Sequence, residues 1–572
     1  MSVKNEIIAK ECRFAIHIPT RSPDVPDLHL IKEQLHLKDG TTRPNLAFIK
    51  DFKRPFYITQ QSKRFHKTKK EWENIENLDK HECTQSELRY RVAQALGKPW
   101  VKDSLKVLSQ SPYLYGTDIT STALIKHSYM KKNPDKLSGY TTAVYDIETD
   151  VVHGTESIIM ATVTYKDLIY TAVVEDFCKD LPGIELLVQN KLDYYLKEYV
   201  QKRNLKLEIC RVKTPGQAVI ECFKKANEWM PDFLAIWNMD FDIPRSLAAV
   251  EKDGLDCAQE LSHPSVPPEF RRCQYKEGNK KKVTASGRVI PINPSSQWHT
   301  LYLTSSFYVI DAMCSYKILR TPPGQEEPSY SLDYILNKEL KIGKLKFKEA
   351  DEYTGLKWHE FMQTNYKAEY IVYNIFDCIS ILELNDKTKD LSHSLPSFAG
   401  FTDFEKYNSN PRKIHDALHM FCLDRGLVIS SSGSLQKNND EDLEIDYTEE
   451  SNESEEEEYS TLDLKGWIVT LPAHLTENLG IRVIEEDENL RPNIRAAVFD
   501  SDCTAAYPSA TDGLNVSKET TRKELSSIDG VDELTFRLQN INLLYGPTNA
   551  IEYCTTMFGF PDVLEIDEFL KN

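Results

Sequence analysis

The sequence has no run of 18 apolar residues, so no membrane-spanning helix is expected. Its twelve cysteines include no CxxC pair, which argues against a zinc ribbon or a disulfide framework and for reduced thiols in a cytosolic compartment. The opening residues, MSVKNEIIAKECRF, lack the apolar core of a signal peptide, so a cytoplasmic protein is expected. No internal repeat is visible, and residues 1–136 hold no metal-ligand spacing. There is no basic excess either. The net charge is −18, which on its face speaks against a nucleic-acid partner.

That charge is unevenly spread. Twelve acidic residues and no basic one lie between Asp440 and Glu458, which leaves −6 for the rest of the chain. Basic clusters stand elsewhere: KRFHKTKK at 63–70, RYR at 89–91, KK at 131–132 and KEGNKKK at 276–282. Local patches, not net charge, decide phosphate contact. With 572 residues, 40% of them hydrophobic and 10% aromatic, the chain has material for several packed cores. Roughly three to five domains fit at ~150 residues each.

The pattern predicts a mixed α/β fold of several domains. FKRPFYI (52–58) reads as a kinked strand. TTAVYDIETD (141–150), ATVTY and LIYTAVV (161–174) and DFLAIW (232–237) read as strands, rich in β-branched and aromatic residues. PGQAVIECFKKANEWM (215–230) reads as a helix opened by proline. KEGNKKKVTASGRVIPIN (276–293) suggests an exposed β-hairpin, followed by one buried strand in TLYLTSSFYVID. Residues 353–391 are mostly helical by pattern, and KIHDALHMFCLDRGLVI (413–429) is an amphipathic helix stopped near Gly426. The acidic stretch 436–460 has too few apolar residues to pack and is expected to be a disordered insert.

Three short stretches carry chemistry. In VYDIETD (144–150), strand alternation puts Asp146 and Glu148 on one face, about 6.6 Å apart along the strand. Two such carboxylates beside an apolar run repel each other unless a cation sits between them. In WNMDFDIPR (237–245), Asp242 follows an aromatic that can pack inward, and Asn238 can bridge backbone groups of a turn. In YNIFDCIS (373–380), Tyr373 and Asp377 are four apart and share a helix face.

In order and separation these stretches resemble the DEDDy 3′–5′ exonucleases, and specifically the proofreading domain of family B DNA polymerases. SYSLDYI and ELKIGKLK (329–346) resemble the segment before the third exonuclease motif in T-even bacteriophage polymerases. WNMDFDIP departs by one residue fewer between Asn and the aromatic. The resemblance implies an RNase H-like exonuclease domain over 137–392, with its β-hairpin near 277–306 parting the primer end from its template. It implies two Mg²⁺, with Mn²⁺ as the alternative. Asp146 would bridge both ions, Glu148 and Asp377 would complete one site, Asp242 would hold the other, and Tyr373 would orient the attacking water. Around that domain the expectation is an N-terminal α+β domain at 1–136, a helical return at 393–435, the insert at 436–460 and a partial palm at 461–572.

The palm expectation rests on AAVFDSDCTAAYPSAT (496–511). From Asp502 it resembles the first palm motif of family B polymerases, with Tyr507, Pro508 and Ser509 in place and Ala505 and Ala506 replacing Ser-Leu. LNVSKETTR (514–522) and Gly466 fit the same resemblance. It implies that Asp502 binds the polymerase metals, that its neighbouring backbone faces a deoxynucleoside triphosphate, and that Tyr507 packs under the incoming sugar. Nucleotidyl transfer needs a second carboxylate from an adjacent strand, and Asp500 shares the strand face of Asp502 instead. INLLYG (541–546) matches part of the finger motif, but Leu538 stands where a lysine belongs, and the match is read as chance. The chain ends 70 residues after Asp502, so the expected partner is a second polypeptide with the fingers, the second palm aspartate and the thumb. DNA, as primer-template and as a single-stranded 3′ end, is the expected substrate, and a sliding clamp is a candidate partner. Two other readings stand: an exonuclease acting alone with a vestigial palm, and a non-catalytic DNA-binding scaffold.

Overall fold

The structure, a computed structural model, describes residues 6–20, 25–98, 104–134, 138–283, 288–321 and 325–432, and the backbone of strands at 522–528, 531–539, 544–545 and 548–549. Asp500, Asp502, Tyr507, Pro508, Ser509, Gly466 and the acidic stretch 436–460 lie outside the described residues. The chain forms two compact units, the first ending at Glu453. In the second, Arg522–Ile528 pairs antiparallel with Val531–Gln539, and Leu544–Tyr545 with Thr548–Asn549.

An eight-stranded mixed sheet organises the first unit. Its spatial order is Lys206–Val212, Leu168–Val174, Ile158–Tyr165, Thr142–Thr149, Phe233–Ile236, Tyr308–Asp311, Thr300–Leu303 and Cys273–Lys276. The central three, beginning with Thr142–Thr149, run parallel. Every residue of IIMATVTY (158–165) is buried, as expected of a strand covered on both faces. The helix Pro215–Trp229 packs on one face around Phe223, Ala161 and Leu234. The helix Lys367–Thr388 packs on the other around Ile371, Ile375 and Met160. The first of these helices starts as its sequence demands: the Thr214 hydroxyl accepts from the Gln217 N–H at 3.3 Å, and Pro215 takes the first turn, where its missing donor does no harm.

The N-terminal strands Ile7–Ile18, Leu28–Leu37 and Thr42–Lys50 form an antiparallel sheet whose Phe14, Ile18 and Leu30 share one core with Val144, Phe233 and Ile310. Two buried cations fasten it. Lys32 donates to the backbone oxygens of Met230 (2.7 Å) and Ser306 (2.8 Å), and Arg13 to those of Ser138 (2.7 Å) and Gly139 (3.1 Å). Both lie at the entry ends of the parallel strands, away from Asp146 and Glu148.

Two sequence expectations change. TLYLTSSFYVID is two antiparallel strands, not one, because Ser305 and Ser306 turn the chain inside the core: the Ser305 hydroxyl donates to Phe307 O at 2.6 Å, and the Ser306 N–H to Asn227 Oδ1 at 3.2 Å. WNMDFDIPR is not a turn. Asn238 precedes a helix, Met239–Lys252, that runs through Pro244, where proline removes only the bond to the Asp240 carbonyl. The hairpin stands where expected, with Lys281–Val283 paired to Val289–Pro291. The helix Asn410–Asp424 ends just before Gly426, at φ 72°. Among the described residues, no helix is long and apolar enough to cross a membrane.

Candidate metal centre

The centre forms where the Thr142–Thr149 strand faces the helix Lys367–Thr388. Alternation turns Asp146 and Glu148 to the same side, toward that helix. The helix answers with Tyr370, Tyr373, Asn374 and Asp377, spaced i, i+3, i+4 and i+7 on one face. Carboxylate oxygens of Asp146, Glu148 and Asp377 all lie within 4.8 Å of one another. At an effective dielectric of ~20, each pair repels by about 3 kcal/mol or more when ionised.

Each acid has a fixed partner. Asn374 Nδ2 donates to Asp146 Oδ2 at 2.6 Å. The Tyr370 hydroxyl donates to Glu148 Oε2, and itself receives from Gln363 Nε2 at 3.2 Å and from His359, whose Nδ1 is 2.8 Å away. Lys344 Nζ donates to Asp377 Oδ2 at 2.6 Å and to the Tyr373 hydroxyl at 2.8 Å. Its ammonium also lies 5.0 Å from the Tyr373 ring centroid, and Trp358 backs that ring at 4.9 Å.

Asp242 enters from the first turn of Met239–Lys252, just past the end of the Phe233–Ile236 strand. It is 3% exposed, and its Oδ1 has no hydrogen-bond partner. It stands outside the group of three, yet it is the strongest charged neighbour raising Asp146. Nearby Asp311 is spent on capping: its oxygens accept from Cys314 N at 2.8 Å and Met239 N at 3.4 Å.

Burial sets the protonation of the cluster. It pushes Asp146 and Asp242 well above the usual carboxylate range, with the neighbouring acids adding to it. Burial lifts Glu148 to about 7 against the opposing Tyr370 hydrogen bond. Asp377 is raised too, by burial, with Lys344 pulling the other way. His359 is held neutral: burial, then the Lys344 charge, brings it down to about 4.

These residues fit a hard divalent cation. The donors are all oxygens, and Asp242 Oδ1, Asp377 Oδ1 and Asn374 Oδ1 are buried without a partner. Were all four carboxylates ionised, Lys344 would offset only part of their charge, so it is a bound cation that favours their ionised forms.

Of the residues read from sequence, Asp146, Glu148, Asp377 and Tyr373 come together and Asp242 adjoins them. Sequence reasoning missed Tyr370, Asn374, Lys344 and His359. The polar i, i+3, i+4, i+7 series on the otherwise apolar stretch 370–379 signals the first two. No protein-family model matches the chain, and neither does any curated protein.

Proposed function

We propose that the chain is a metal-dependent 3′–5′ exodeoxyribonuclease of the DEDDy kind, with an RNase H-like fold and Mg²⁺ as its cation. One observation carries this reading: three acids from a strand and a distant helix converge within 4.8 Å, beside a tyrosine held by Lys344. Asp146, Glu148 and Asp377 would hold one ion, and Asp242 with Asp146 a second. When bound, such a cation supplies the charge that lowers the pKa of an attacking water and offsets charge on the leaving 3′ oxygen. The chain's own side chains orient the rest. Asn374 and Tyr370 fix the rotamers of Asp146 and Glu148. Tyr373 accepts from Lys344 and so keeps its own O–H to position a water.

The polymerase part of the proposal rests on the sequence alone. Asp502, Tyr507, Pro508 and Ser509 support a palm that takes deoxynucleoside triphosphates. The nuclease is tested with 5′-labelled single-stranded DNA and Mg²⁺. The expected result is stepwise shortening from the 3′ end that Asp146→Ala abolishes. Shortening that survives this substitution, or none with the parent chain, overturns it. Template-directed primer extension with Mg²⁺ and deoxynucleoside triphosphates, lost in Asp502→Ala, tests the polymerase reading.

A further inference from the structure

Phe65 is 87% exposed, the highest value for a large hydrophobic side chain among the described residues. Its neighbours explain why. Arg64 and His66 both turn inward and grip the body of the protein. Arg64 Nε donates to Thr59 O at 2.9 Å, and its guanidinium lies 5.2 Å from the Tyr113 ring centroid. The His66 ring meets Tyr113 edge-on at 5.2 Å, and the Tyr113 hydroxyl donates to His66 O at 3.0 Å. With both flanking residues anchored, the residue between them is held outward. The same loop is tied at its far end, where Lys69 donates to the backbone oxygens of Ser109 and Ser431.

The charges divide the same way. Lys69 is spent on those carbonyls, and Lys70 pairs with Glu73 at 2.5 Å. Lys63 and Lys67, two residues to either side of Phe65, are exposed and make no ion pair among the described residues. A fixed, solvent-facing ring flanked by two uncommitted ammonium groups is the arrangement that holds a single strand by stacking and phosphate contact. An acidic protein surface would use the lysines but not the ring. One ring and two charges fall short of the paired signals that stable membrane anchoring takes.

We propose that loop 61–70 is a second nucleic-acid contact, where Phe65 stacks on an unpaired base while Lys63 and Lys67 face the flanking phosphates. Phenylalanine offers no hydrogen bond, so this contact reads no sequence. The inference rests on the proposed function only for its choice of DNA as the strand.

The test measures binding of the full chain to a fluorescent oligothymidylate by anisotropy, in EDTA. Phe65→Ala should weaken binding about tenfold and Phe65→Trp should preserve it. Lys63→Ala with Lys67→Ala should lower the salt slope by about 1.4, at ~0.7 for each phosphate no longer neutralised. Affinity within twofold for Phe65→Ala, or an unchanged salt slope, overturns the proposal. So does Phe65-dependent flotation with phosphatidylserine vesicles while DNA affinity stays put. Mg²⁺ is then added to the same samples. Degradation without Phe65 dependence sinks this contact alone, and Phe65 dependence without degradation sinks the nuclease reading alone.

Discussion

Lys344 Nζ lies 2.6 Å from Oδ2 of Asp377, so an ammonium occupies part of the space where the acids call for a cation. Lys344→Met removes that counter-charge and the donor to Tyr373. The metal-free thermal midpoint should fall. The Mg²⁺ concentration for half-maximal stabilisation should also fall, about three- to tenfold, because the incoming ion no longer meets a like charge. DNA shortening at saturating Mg²⁺ should slow, since Tyr373 loses its anchor. Thermal melts across a Mg²⁺ titration check this, and coincident curves for parent and variant reject it.

The part of this site that was legible in sequence is the part set by local periodicity. Asp146 and Glu148 share a face because strands alternate, and Tyr373 and Asp377 because helices repeat near four. Tyr370 and Asn374 lie on the same stripe but gain meaning only once the helix meets the strand. Lys344 was hidden for a different reason. It is one of five lysines between positions 338 and 348, and only the chain path beyond Lys341 decides which one reaches Asp377. The turn at Ser305 and Ser306 was illegible because the Ser306 N–H and hydroxyl are satisfied by Asn227, some 79 residues away in sequence. The sheet order, too, depends on such distant pairings.

Asp146→Asn keeps the shape of a crowded acid and removes its charge. Burial and three neighbouring carboxylates hold Asp146 well above its usual range, so ionising it at neutral pH opposes the fold. The variant should be more stable than the parent without metal, by about 1 kcal/mol, and should shorten DNA at least about a thousandfold more slowly. Urea unfolding in EDTA, paired with the nuclease assay, reads both. A variant less stable than the parent contradicts the repulsion.

Glu148 ionises at about 7 in the fold, against 4.5 as the reference value for a free glutamate. A carboxyl raised in this way contributes stability that is fully present below pH 4.5 and is lost as the pH climbs through 7. Metal-free stability should therefore decline across that window, by about 3 kcal/mol at most from this group. Stabilisation by Mg²⁺ should show the opposite trend and rise through pH 7, because only the ionised ligand binds. Denaturation series at matched ionic strength, with EDTA and with Mg²⁺, should diverge as the pH rises from 4.5 to about 7 and run parallel above it. Curves that stay parallel between pH 4.5 and 7 refute the assignment.

Tyr370 controls the ionisation of that glutamate. Its hydroxyl donates to Glu148 and favours the charged form, while His359 and Gln363 hold the phenol in place. Tyr370→Phe keeps the ring, its stacking on Tyr373 at 5.9 Å and its burial, and deletes only the donor. Glu148 then rises further, so the acid limb of the pH–rate profile should move to higher pH. At neutral pH the rate should drop about tenfold, and at pH 9 most of the difference should vanish. A loss of packing would slow the shortening equally at all pH values. The shift of the limb, measured by single-turnover shortening of labelled DNA, therefore separates an electrostatic role for Tyr370 from a purely structural one.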